Sequence, residues 1–212
     1  MSDVTLVIAC LLGGALVGEL ERRHCVTLTY RYPTESEIPA PAGSRWWITF
    51  GAAAAAGLLA WRFGSERLPL LLPTLPIALF GTWLSAIDWD VRRLPNRILL
   101  AHGLAVAAGA GLAAALMSDP QIAIRAAIGG LIAVAVFWVL HLLTKSGIGW
   151  GDGKYSLVLG AATAAVGYPV EWWSFMLGCL AAVIAAIALR ARSFAFGPWL
   201  FVGSIAAIAT FG

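Results

Sequence analysis

The stretch "AVAVFWVLHLLTKSGIGWGDGKYSLVLGAATAAVG", Ala133 to Gly167, holds two apolar runs around a short polar interruption. Both runs are apolar enough to sit in lipid. The interruption alternates glycine through Gly147, Gly149, Gly151 and Gly153, and it sets one acid, Asp152, between two of them. Runs of this kind predict an all-α, polytopic membrane helix bundle. The acid on its glycine strip then lies at a membrane edge.

Composition agrees. The chain has 212 residues, of which 60% are hydrophobic, and its mean hydropathy is +0.85. Charged residues make up 12%, about half the share of roughly 25% usual in soluble domains. Eight segments read as spans, at 4–20, 46–62, 68–88, 97–117, 122–143, 153–169, 171–190 and 195–211. Pro73 and Pro76 predict a kink in the third. The sixth is short and rich in Gly and Ala, which suits a helix inside a bundle. The first run follows "MSDVT", with no basic flank, and reads as a retained helix.

Charge orients the chain. With eight spans, the loops 21–45, 88–97, 144–154 and 190–195 share one side and carry eleven of the fourteen Lys and Arg residues. Arg62, Arg67 and Arg125 fall on the other. Basic residues collect on the cytoplasmic face. The first set is therefore expected in the cytoplasm, with both termini outside. The net charge of +3 thus reads as a topology signal and not as a nucleic-acid footprint. Tryptophans near the span ends, Trp46, Trp89, Trp150 and Trp199 among them, suit an aromatic belt. Cys10, Cys25 and Cys179 are scattered and form neither a disulfide framework nor a metal site.

Most of the eleven acids fall in loops or at span ends, Glu19, Glu21 and Glu171 included. Glu171 reads as a solvated acid of an outer loop. Asp88 and Asp90 close the third span in "WLSAIDWDVRRLPNRILL", and Asp152 opens the sixth. Asp90 lies further into its loop, where Arg92 and Arg93 would neutralise it. Asp88 and Asp152 follow long apolar runs, and an ionisable residue next to hydrocarbon is a functional candidate. Two such acids suit aspartyl proteolysis, in which one carboxylate activates water and the other polarises the scissile carbonyl. Asp88 ends one helix and Asp152 begins another. The helix dipoles then predict a resting proton on Asp88 and an ionised Asp152. His102 and His141 read as packed or interfacial.

These residues resemble the type IV prepilin leader peptidases. "AIDWDVRRLPNRI" is similar to the first family signature, with Asp88 seven residues before Pro95. "GIGWGDGKYSLVLGA" is similar to the second, GxGxGDxK, through Gly147, Gly149, Gly151, Asp152 and Lys154. "FAFGPWLFVG" resembles a C-terminal FGP stretch. The likeness covers about 80–212. It implies an intramembrane aspartyl endopeptidase of the inner (plasma) membrane, with Asp88 and Asp152 as the catalytic pair and no metal or cofactor. The implied substrates are prepilin or pseudopilin chains held in the bilayer. Lys154 reads as support for the motif, Asn96 as a cap for the fourth span, and Pro95 as the start of that turn. The chain divides into an N-terminal membrane part, 1–67, and a peptidase domain, 68–212. Bifunctional members carry paired CxxC motifs in a larger first loop and also methylate the new N-terminus. Here the loop is short and holds Cys25 alone, so methyl transfer is not expected. The alternatives are a presenilin-like GxGD protease with other membrane substrates, and a small transporter or scaffold.

Overall fold

The structure, a computed structural model, describes residues 2–144, 149–190 and 195–212. Among these residues it holds eight α-helices and no strand: α1 (Asp3–Thr27), α2 (Trp46–Phe63), α3 (Leu71–Val91), α4 (Asn96–Leu116), α5 (Gln121–Leu143), α6 (Trp150–Val166), α7 (Tyr168–Ala188) and α8 (Gly197–Phe211). A helix satisfies its own backbone polar groups, so apolar runs of this length take that form in lipid. Five segments are long and apolar enough to cross a membrane: α1, α3 with its leading turn from Leu68, α4, α5 and α7. The chain is a multi-pass helical membrane protein. Helices α2, α6 and α8 are shorter. The 17 residues of α6 reach about 26 Å at about 1.5 Å per residue, against a hydrocarbon core of about 30 Å.

Helix α3 is the axis of the bundle. Within its span 72% of the window is buried, against 17% for α1, and it packs on α1, α2, α4, α6 and α8. The remaining neighbours pair off as α1 with α2, α5 with α6, and α7 with α8. Small residues let these pairs close. A Cβ on Gly14 would stand 2.7 Å from the Ala52 carbonyl oxygen, and one on Gly130 would stand 2.9 Å from that of Leu157. Such close approach is how helices gain packing energy where lipid offers no hydrophobic drive.

Two expectations change at this level, those for Glu21 and Glu171. Helix α3 runs through both prolines as one element. Pro73 falls in its first turn, where the N–H is unbonded in any case. Pro76 removes the donor for the Leu72 carbonyl, and α4 brings Gly109 against that same carbonyl. Helix α1 continues to Thr27, so Glu21 is a helix residue facing α3 and not a loop acid. It is 5% exposed and accepts from the Thr82 hydroxyl at 2.9 Å. Glu171 is likewise buried, in the first turn of α7 against Gly129 and Gly160 of the α5–α6 pair.

Candidate active site

Asp88 sits one turn before the end of α3. The backbone N–H of Arg92 bonds the Asp88 carbonyl at 2.9 Å, and Arg92 itself takes the left-handed conformation (φ 51°, ψ 41°) that stops the helix. Pro95 then biases Leu94 away from helical angles and caps α4 as an extended residue. The result is a tight turn, 92–95, that leaves Asp88 just inside the bundle, 4% exposed.

The Asp88 side chain has a backbone partner from far along the chain. Its Oδ2 accepts the N–H of Gly197, the first residue of α8, at 2.9 Å. Its cap residue Phe196 makes no side-chain cap bond, and Asp88 satisfies one of the free N–H groups of that helix end. A Cβ on Gly197 would stand 3.0 Å from the same carboxyl oxygen, so glycine is the residue that lets the helix end come this close. Pro198, next along, has no N–H to satisfy. The "FGP" stretch is thereby explained: it delivers a helix N-terminus to Asp88. The contrast expected between the two aspartates is offset as a result, since each now faces the N-terminal end of a helix.

Asp152 lies in the first turn of α6, with extended Gly149 as the preceding cap residue. A Cβ on Gly149 would stand 3.2 Å from the Asp152 carboxyl, so glycine here keeps room for it. Gly151 faces Leu94 of the 92–95 turn, and Gly153 packs on Trp150 and Phe137. Gly147 lies outside the described residues.

The two acids meet. Asp88 and Asp152 line one cleft of about 300 Å³, together with Tyr32, Arg92, Arg93, Leu94, Pro95, Asn96, Gly149, Trp150, Gly151 and Lys154. Four connections converge at this end of the bundle: the loop after α1, the turn after α3, the start of α6 and the start of α8.

Lys154 and Asn96 join the two motifs directly. The Lys154 Nζ donates to Asn96 Oδ1 at 2.9 Å. Asn96 therefore does not cap α4 with its side chain, and Lys154 turns to Asn96 and not toward Asp152.

Asp90 departs furthest from its reading. Its partners are not Arg92 and Arg93 but two residues of the loop after α1. Arg31 grips it with Nε at 2.9 Å and Nη2 at 2.6 Å, and the Tyr30 hydroxyl donates to it as well. The two ionic side chains are 7% and 1% exposed. Burial, with the hydrogen bond to Asp90, pushes the Tyr30 phenol up to about 12, so it stays a donor. Arg31 also donates to the Ile38 carbonyl at 2.6 Å. Arg93 bonds both oxygens of Glu35 at 2.9 Å and lies 3.9 Å over the Tyr32 ring. The first loop is thus clasped to the Asp88 turn and supplies Tyr32 to the cleft. Sequence reasoning missed this. The only signal was an acid–base pattern, "YRYPTESE" against "DWDVRR", too common to pair by eye.

Fold and site together define a class: a polytopic helical membrane protein with two aspartates in one cleft at the end of its bundle. A family model, the type IV leader peptidase family, matches residues 75–191. The prepilin leader peptidase/N-methyltransferase of Neisseria gonorrhoeae is 32% identical over 152 residues, covering 69% of this chain and 50% of that protein. The protein of the same name from Escherichia coli (strain K12) is 32% identical over 134 residues, covering 59% and 57%. No solved structure gives a significant match. The chain spans about half the length of the curated relatives it matches. The chain belongs to the type IV leader peptidase family.

Proposed function

We propose that the chain is an intramembrane aspartyl endopeptidase that removes the leader from prepilin-like proteins at the cytoplasmic face. One observation carries the reading: Asp88 and Asp152, each from its own signature motif, line the same cleft. One carboxylate takes a proton from water as the oxygen adds to the scissile carbonyl. The other, protonated, donates to that carbonyl as charge develops there. The proton then passes to the leaving amine. Helix ends at both acids hold the pair in place, so little reorganisation accompanies reaction. Gly149 and Gly151 line the same cleft, where an extended substrate segment can lie beside Asp152.

The cytoplasmic assignment rests on the basic loops that meet at this end. The bond between Lys154 and Asn96 favours the prepilin reading over a presenilin-like one, because it joins the two elements that distinguish this family's motifs. A transporter would hold its acids near mid-span; these lie at one end.

The N-terminal part, 1–67, serves in this reading as a support for the cleft, not as a methylase. Cys25 is buried within α1, and its carbonyl accepts from Arg45 at 2.6 Å. Mass spectrometry of a mature pilin processed by this chain alone is expected to show an unmethylated N-terminus; a clean added methyl group contradicts it.

Co-expression with a candidate prepilin tests the main reading. Asp88→Asn and Asp152→Asn should each insert normally and each abolish leader removal. Processing at near wild-type rate by either variant refutes the assignment.

A further inference from the structure

Three hydrogen-bonding side chains next to the dyad have no protein partner among the described residues: the Ser85 hydroxyl, both ring nitrogens of His102, and the Tyr155 hydroxyl. All three residues are sealed from the surface, with Ser85 2% exposed and His102 and Tyr155 0%. They come from three helices that pack on one another, α3, α4 and α6.

Their positions are tied to the aspartates. Ser85 precedes Asp88 by three residues on α3. Tyr155 follows Asp152 by three on α6. Residues three apart share a helix face, so Ser85 and Tyr155 each lie on the face of their acid, one turn further along the helix into the bundle. The His102 ring lies 6.0 Å from the Tyr155 ring, centroid to centroid, and stacks on Phe80 at 5.2 Å. Asp88 is within electrostatic reach of the Tyr155 hydroxyl. A buried hydroxyl or imidazole without a partner costs free energy, and an apolar ring of the same shape would avoid that cost. Three such groups on adjoining helices can supply the two to four partners that a buried water needs. Tyrosine and neutral imidazole each donate and accept, so they can pass a hydrogen bond onward.

We propose that Tyr155 and His102, with Ser85, are positioning residues for the dyad: they hold water behind the Asp88 carboxyl and fix its orientation from inside the bundle. This rests on the reading of Asp88 and Asp152 as the catalytic pair. The site takes water, not substrate, and none of the three residues takes part in bond making. A carboxyl held on one side by the Gly197 N–H and on the other by a hydrogen-bonded water has one orientation in which to meet the scissile carbonyl.

The test is Tyr155→Phe, which removes one oxygen and keeps the ring. Cleavage of a prepilin by purified enzyme in lipid nanodiscs is measured alongside thermal stability and the carboxyl-stretch infrared band that Asp88→Asn abolishes. The expected result is kcat lowered about tenfold or more, KM within about twofold of wild type, melting temperature unchanged or raised, and the Asp88 band shifted. His102→Asn, which keeps a donor and an acceptor, should retain more activity than His102→Leu. A purely structural role predicts the reverse for Tyr155→Phe: wild-type kcat and an unmoved band, and that result overturns the proposal. Asp88→Asn in the same assay separates the two levels. If it is inactive while Tyr155→Phe matches wild type, only the positioning role fails; if it cleaves normally, the catalytic pair itself is wrong.

Discussion

The Asp88 carboxyl accepts the backbone N–H of Gly197 at 2.9 Å, 109 positions further along the chain. This bond ties the last helix to the end of the third and makes Asp88 the cap of α8. It makes the glycine that opens α8 part of the site's geometry.

Gly197→Ala should therefore impair catalysis without unfolding the protein. The added Cβ would meet Asp88 Oδ2 at 3.0 Å, so the carboxyl must move by a few tenths of an ångström. With Asp88 in the proposed catalytic role, such a displacement costs on the order of 10- to 100-fold in rate. The measure is kcat for leader removal at matched membrane expression; an unchanged kcat would show that the contact does not set the carboxyl's position.

Asp90→Asn should behave differently from Asp88→Asn. It leaves the buried Arg31 guanidinium without its counter-charge and with one acceptor oxygen in place of two, a loss on the order of 2 kcal/mol. The expected phenotype is a lowered melting temperature and faster proteolysis of the loop after α1, with measurable cleavage at low temperature. Full stability with no activity would place Asp90 in the chemistry.

Lys154 and Asn96 should act as a unit. Lys154→Ala and Asn96→Ala each remove the same bond across the cleft mouth, so the double variant should cost little more than either single one. A double-mutant cycle on kcat/KM reads this directly. Additive losses would mean that the two residues serve separate ends.

The loop clasp should loosen in acid. Hydrogen bonds from Arg93 hold the Glu35 carboxyl below its ordinary range. Its folded value is then lower than its unfolded value of about 4.3. The native state binds fewer protons through that window, so the stability contributed by Glu35 is full above it and is lost as pH falls. Limited proteolysis at residues 36–44 should accelerate as pH drops below about 4.3, and Glu35→Gln should remove that acid limb while raising the basal rate. An acid limb that persists in Glu35→Gln would assign it to another group.

Much of this protein is legible along the chain because lipid imposes a simple rule. Backbone polar groups must be satisfied within a helix, so apolar runs alone placed the helices to within a few residues, apart from the extra turns at the end of α1. The two motifs marked Asp88 and Asp152, since acids beside long apolar runs are few. What only the tertiary structure decided is which distant groups meet them. The Gly197 N–H, the Lys154–Asn96 bond, the Asp90–Arg31 clasp and the buried Tyr155–His102 pair all join different helices or loops. Each depends on how helices cross and how far they extend. A one-dimensional pattern of hydropathy and charge fixes neither: it records how costly each residue is in lipid, not which neighbour relieves that cost.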